Sequence, residues 1–150
     1  MKAVLMSIQP KWCELIASGK KTVEVRKTKP KLETPFKVYI YCTQGLFKDL
    51  GVIGEEMYQK RMKVIGEFVC DEIIRLNYSC GSYRCDGLNR LENDRIASAS
   101  QLSLYDIRNY LSCNGGYAWH ISDLAIYDKP KELSEFGLTR PPQSWCYVEV

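Results

Sequence analysis

The sequence predicts an α+β fold, mainly β: a small mixed β-barrel with short flanking helices. Three observations predict it. Five to six segments have strand length and strand alternation. Only two segments carry a clear helical stripe, and both are short. The strands are not separated by regular crossover helices, which argues against a doubly wound parallel sheet, whereas barrel closure removes exposed sheet edges. At 150 residues the chain has the size of one ordinary domain, taken as residues 1–150 with an irregular polar insertion at about 77–100.

The elements follow in order. Residues 3–8 (AVLMSI) form an apolar run of strand length. Pro10 suits the first turn of a helix, and Trp12, Leu15 and Ile16 fall at i, i+3 and i+4 as one apolar stripe. Gly19 stands where a helix-ending glycine belongs, so residues 10–18 read as a short helix. Residues 21–27 alternate as a strand, with Val23 and Val25 pointing one way and Thr22, Glu24 and Arg26 the other. Lys21 has the parity of the valines, but it lies at the strand mouth, where its long stem bends round the edge. Pro30 and Pro35 bracket a loop. Residues 36–43 form the next strand, with Phe36, Val38, Ile40 and Cys42 on one face.

Residues 44–63 are punctuated by glycine, with a helical turn around 55–62. Residues 64–73 read as a strand in which Gly66 marks a bulge or a close backbone approach. Residues 102–111 read as a helix capped by Ser103, with Asp106 three positions on. Gly115 and Gly116 stop it. Residues 118–127 form a strand, 130–137 a short helical or turn segment, and 144–150 a closing strand. No internal repeat and no low-complexity tract interrupts this order.

Hydrophobic residues make up 45 % of the chain and charged residues 26 %, a globular balance. No apolar run approaches the ~18 residues of a membrane span. The first residues lack a signal-peptide core, so a cytoplasmic protein with no membrane partner is expected. Seven cysteines cannot all pair within one chain, and several lie in apolar runs; reduced, buried thiols are the simplest reading. The net charge is only +3, yet residues 2–37 alone carry nine Lys/Arg against three Asp/Glu. Two readings fit this asymmetry: an anionic partner such as nucleic acid or a phosphorylated small molecule, or a solvated lysine-rich surface.

The stretch GKKTVEVRK (19–27) concentrates the question, because Lys21, Glu24 and Arg26 place charges of both signs within six residues. Glu24 and Arg26 are neighbours on one face. They form either an exposed ion pair worth ~0–1 kcal/mol or part of a polar cleft. In a cleft, Lys21 and Arg26 donate to a phosphate or a base carbonyl, and Glu24 accepts from an exocyclic amine.

Gly19, Lys21, Glu24 and Arg26 match the pattern G-x-K-x-x-E-x-R, which resembles the signature of the ASCH domain family of the PUA-like superfamily. SIQPKWCELIASG (Ser7 to Gly19) is similar to that family's opening strand–helix unit. AWHISDLAIYDKP and RPPQSWCYVEV are similar to a branch common in bacterial and phage genomes. The resemblance covers both ends of the chain and leaves roughly 77–100 unmatched. It implies a PUA-like β-barrel with a cleft beside the first helix, binding RNA or a modified nucleoside there. Lys21, Glu24 and Arg26 are the implied site, with Ser7 and Trp12 as further positions. One branch resembles an amidohydrolase of acylated cytidine that uses a lysine, a threonine and a glutamate. Lys21 matches the lysine, whereas Glu24 stands where the threonine would be, and Thr22 falls at a different position.

Trp12, Trp119 and Trp145 offer either base stacking, at ~1–3 kcal/mol per contact, or core packing. Trp119 and His120 are adjacent on a strand and face opposite ways, so one of them reaches the cleft. His120, the only histidine, is either a general base or a hydrogen-bonded structural residue. Cys13 near a helix start is either activated or simply buried. No cofactor and no metal are expected, since Cys80-x4-Cys85 lacks a second ligand pair at metal spacing, and the Walker, dinucleotide and zinc-protease motifs are missing. The leading expectation is a non-catalytic RNA- or nucleoside-binding module. The alternatives are a hydrolase of a modified nucleoside or of RNA, with Lys21 polarising and Glu24 as acid–base group, and a protein-binding adaptor.

Overall fold

Along β1 (Lys2–Ile8), Val4, Met6 and Ile8 alternate with Ala3 and Leu5, and both sets are buried. A strand covered on both faces belongs in the middle of a layered domain. The computed structural model describes residues 1–79, 82–85, 90–112 and 114–150. In it, β1 runs parallel to β3 (Phe36–Cys42) and antiparallel to β7 (Trp145–Glu149), so the two ends of the chain share one sheet. Beyond β3 lie β4 (Lys63–Ser79), β6 (Gly116–Lys131) and β2 (Val23–Arg26), giving the order β2-β6-β4-β3-β1-β7. A further strand, β5 (Ser82–Cys85), pairs only with the end of β4.

The inner face carries the main core. Phe36, Val38, Ile40 and Cys42 lie on one face of β3 as expected, and they meet Val4, Met6, Phe68 and Trp119. Full burial of each large apolar side chain contributes ~1.5–3 kcal/mol. On the outer face, Leu5, Tyr39 and Tyr41 are covered by Leu133 and Phe136 from the 3-10 turn Leu133–Phe136. A third cluster packs Val23, Val25, Leu76 and Ala118 beneath Ile107 and Leu111 of α4 (Leu104–Leu111). The cap of α4 is the one its sequence announces: Ser103 Oγ accepts from the Asp106 N–H, and the Asp106 carboxylate accepts from the Ser103 N–H.

The expected barrel is not closed. Among the described residues no backbone ladder joins the edge strands β2 and β7. The reason lies in the four residues of β2: Glu24 and Arg26 fill the seam with polar side chains. Just before the strand, the Thr22 N–H is taken by the Ala99 carbonyl at 2.8 Å. Side chains bridge the seam instead. Arg26 reaches Ser7 and Ser144, and Trp145 Nε1 donates to Thr28 Oγ1 at 3.0 Å.

The segment 77–100 is less irregular than its polarity implies. β4 runs on to Ser79 because Leu76 is still buried on the strand's inward parity, and α3 (Arg90–Ser100) turns Ile96, Ala99 and Ser100 inward. Residues 80, 81, 86–89 and 113 lie outside the described residues, and with them the expectations for Cys80 and Cys113. The long strands β4 and β6 bend at three register shifts. One is at Gly66, where a Cβ would stand 2.6 Å from the Ala125 carbonyl oxygen; the glycine does mark a close approach. In α1 (Pro10–Ala17), which lies beside α2 (Glu55–Gln59), the buried stripe is Pro10, Cys13 and Ile16 rather than Trp12, Leu15 and Ile16. The helix is rotated so that Trp12 stands half-exposed at its edge.

Candidate functional site

The geometry of the site begins at the end of α1. Gly19 adopts φ +82°, a left-handed conformation that favours glycine. Its N–H bonds the Ile16 carbonyl, and the Lys20 and Lys21 N–H groups both bond that of Leu15, each at 3.0 Å. This hydrogen-bonded helix stop sets Lys21 immediately ahead of β2. The Lys21 side chain turns inward, as its position at the strand mouth implies, and is 2 % exposed.

Inside, Lys21 Nζ donates to the Ser100 carbonyl at the end of α3 (2.6 Å), where the helix dipole also favours a cation. It stands 3.5 Å from Glu24 Oε2 and 5.0 Å from the centre of the Trp12 ring. Burial pushes the Lys21 ammonium below the usual lysine range; Glu24 opposes that shift and Arg26 adds to it. Arg26 is committed to protein partners. Its Nε donates to Glu24 Oε1 (3.2 Å), Nη2 to the Ser7 carbonyl (2.8 Å) and Nη1 to Ser144 Oγ (3.2 Å). Glu24 is the hub, 6 % exposed, and its Oε2 makes no hydrogen bond to protein. The exposed ion pair weighed from the sequence is therefore ruled out, because all four residues of β2 are buried.

These groups line a cleft of about 420 Å3, within the range of small-molecule sites. Ser7, Trp12, Lys21, Glu24 and Arg26 all border it. Ser7 Oγ is itself held by the Pro142 carbonyl at 2.7 Å. The cleft does not include the other two candidates. Trp119 is fully buried in the core, edge-to-face with Phe36 and Trp145. His120 points outward, its Nδ1 2.6 Å from Asp71 Oδ1, and this contact holds the Asp71 carboxyl below its ordinary range. The alternation of Trp119 and His120 is right, but neither side reaches the cleft: one faces the floor beneath it and the other faces solvent.

The opposite wall comes from α4, which the motif does not reveal. Asp106 and Tyr110, four apart and so on one helix face, border the cleft with Leu102. Burial pushes the Tyr110 hydroxyl up, so it stays protonated. Gln9, Thr43 and Gln143 complete the rim. The i, i+4 pairing of an acid and a tyrosine on a capped helix was the available signal for this wall. Cys13 borders the charged cluster from the core side. Burial and the neighbouring Cys42 push its thiol well up, which removes the activated-cysteine reading. The four cysteines whose side chains are described, 13, 42, 70 and 146, are free thiols. Among the described residues no group of His, Cys, Asp and Glu has the arrangement of a metal site, and no helix is long and apolar enough to cross a membrane.

Comparison with known proteins gives a partial family match and a likeness of fold. The ASCH domain family matches residues 6–75, the stretch that runs from the end of β1 through α1 and the charged strand into β4. The structure is similar to that of an ASCH protein from Zymomonas mobilis, with a TM-score of 0.68 and 21 % identity over 98 % of this chain and 87 % of that one. A tyrosine-to-phenylalanine variant of the Zymomonas protein matches with a TM-score of 0.64 at 21 % identity, over 99 % of this chain and 91 % of the other. At that identity the likeness is one of fold. No match emerges among curated proteins.

Proposed function

We propose that residues 1–150 form one ASCH domain whose cleft binds a nucleobase, as a nucleoside or as part of RNA. One observation carries the reading: the buried Glu24 carboxylate borders a cavity large enough for a base, and its Oε2 is met only by the Lys21 ammonium at 3.5 Å, without a geometrically complete hydrogen bond. A buried acceptor of this kind costs free energy unless a donor meets it, and the exocyclic amine of cytosine or adenine is such a donor. Lys21 stands beside it as a cation able to face a ring carbonyl. At ring position 4 cytosine presents an amine donor to the carboxylate where uracil presents a second carbonyl, so the pair favours cytosine. Trp12 and Tyr110 offer aromatic faces on either wall. Arg26 is the clamp that holds Glu24 and seals the seam, not a ligand donor. The family match at residues 6–75 and the fold likeness over nearly the whole chain support the ASCH assignment.

A hydrolase is the second reading, favoured by Lys21, whose burial lowers its pKa beside a carboxylate. Thr22, the nearest hydroxyl in sequence, does not border the cleft, whereas Thr43 does.

The test is calorimetric titration of cytidine, uridine and N-acylated cytidine into the parent and Glu24→Gln, with product analysis on each. The binding reading expects cytidine above uridine, a roughly tenfold loss in Glu24→Gln, and no product. Equal affinity of cytidine and uridine, or no loss in a folded Glu24→Gln, contradicts it. Release of the acyl group by the parent alone establishes the hydrolase instead.

A further inference from the structure

A second depression opens on the loop that follows β2, with a volume of about 590 Å3. Its walls are Lys27, Lys29, Lys31 and Leu32, with the ring of Tyr117. The three lysines are exposed, and among the described residues none has an ion-pair partner. They stand at alternate positions of the loop, and Lys27 and Lys29 reach two different rings, so their charges are spread rather than gathered at one point. Glu33 is the one acid in the lining.

Two features distinguish this row from an ordinary solvated charge run. First, it is interleaved with aromatic rings. Lys29 Nζ lies 5.6 Å from the centre of the Tyr117 ring, and Lys27 Nζ 5.1 Å from that of Tyr110. Second, the loop is pinned rather than free. Thr28 Oγ1 accepts from Trp145 Nε1 at 3.0 Å, and the Lys31 N–H donates to the Tyr147 hydroxyl at 2.7 Å. The groove is thus preformed.

The groove neighbours the cleft through one contact. Lys27 follows Arg26 directly, and its partner Tyr110 is a wall of the cleft. A nucleoside needs only the cleft. A row of cations with aromatic faces leading away from it is the arrangement that tracks a phosphodiester backbone and stacks successive bases.

We propose that the Lys27–Lys29–Lys31 groove carries the strand that flanks the base held in the cleft, so that the ligand is a single-stranded polynucleotide and not a free nucleoside. The inference rests on the cleft reading above and adds the substrate class to it. The Lys27–Tyr110 contact marks where the strand passes from cleft to groove, and Tyr117 receives a neighbouring base.

The experiment measures fluorescence anisotropy of a labelled single-stranded oligoribonucleotide of about ten nucleotides, alongside calorimetry with cytidine 5′-monophosphate. Parent and the double variant Lys29→Gln/Lys31→Gln are compared across a salt series. Both substituted residues are exposed, so the fold is retained, and circular dichroism verifies it. Loss of two backbone contacts is expected to weaken the oligonucleotide roughly tenfold and to reduce the log–log salt slope by ~1.4, with the monophosphate bound as by the parent. Unchanged oligonucleotide affinity and slope, while the monophosphate still binds, overturns the groove and leaves the cleft standing. An equal loss for the monophosphate also overturns it, since the lysines then act as a diffuse field. If the parent binds neither ligand, the cleft reading falls and the groove with it. Displacement of the oligonucleotide by polyglutamate as effectively as by unlabelled RNA overturns the choice of a polynucleotide in favour of an acidic protein.

Discussion

Arg26 Nη2 donates to the Ser7 carbonyl at 2.8 Å, joining β2 to β1 across the seam that the sheet leaves open. The same guanidinium holds Glu24 and Ser144, so one side chain performs the closure that a backbone ladder would perform in a closed barrel. A planar fork with several fixed donors suits this place, and a lysine does not reproduce it.

Arg26→Ala therefore leaves a buried carboxylate and a buried carbonyl without their donor. Breaking a buried pair from one side costs ~3–5 kcal/mol. Urea unfolding of parent and variant measures it. A loss below ~1 kcal/mol, the scale of a surface pair, contradicts the seam assignment.

How much of this was legible in the sequence differs from element to element. The strand periodicity of 36–43 located the inward face of β3, because Phe36, Val38, Ile40 and Cys42 all face one core. The glycine after α1 announced the turn that positions Lys21. The failures have physical causes. Trp12 was assigned to the buried stripe because periodicity shows that residues share a face, not which face meets the core; the tight packing falls to Cys13 instead. Trp119 and His120 were expected to split between cleft and exterior, but the sheet curls so that β6's inner face is core at that point. α3 was hidden by its polarity, since only Ile96, Ala99 and Ser100 turn inward. Asp106 and Tyr110 were missed because the motif lies far from α4 in sequence, and only the tertiary fold brings the two walls together.

Lys21 gives stability a specific pH dependence. Its native pKa is lowered from about 10.5 by burial, so the native state releases this proton before the unfolded chain does. Where the unfolded state holds more protons, stability rises with pH. The contribution is most unfavourable below the native pKa, and it recovers as pH climbs to the unfolded value. Subtracting the Lys21→Met stability curve from that of the parent isolates this group from the tyrosines. The difference should rise with pH over that window; parallel curves contradict the burial of a charged amine.

The thiols of Cys13, Cys42 and Cys70 are buried, and burial pushes those of Cys13 and Cys70 up, the latter to about 12. In native protein at neutral pH they should resist iodoacetamide and react fully after unfolding. Peptide mapping by mass spectrometry reads each site. Rapid native alkylation of Cys13 contradicts the packing of α1 on the core.

Aromatic substitutions separate the cleft from its surroundings. Loss of a base-stacking face costs ~1–3 kcal/mol, so Tyr110→Ala should weaken nucleoside binding roughly five- to hundredfold. His120→Ala, on the outer surface beside Asp71, should leave it unchanged. The reverse result in a titration of both variants would move the site from the cleft to the outer surface around His120.

In the proposed complex the ligand's donor edge meets Glu24 within the cleft. Crystals soaked with cytidine 5′-monophosphate test it most directly. A base is expected between Trp12 and Tyr110, its exocyclic amine within hydrogen-bond distance of the Glu24 carboxylate and its ring carbonyl facing Lys21. A nucleotide bound elsewhere on the molecule, with this cleft empty, would contradict it.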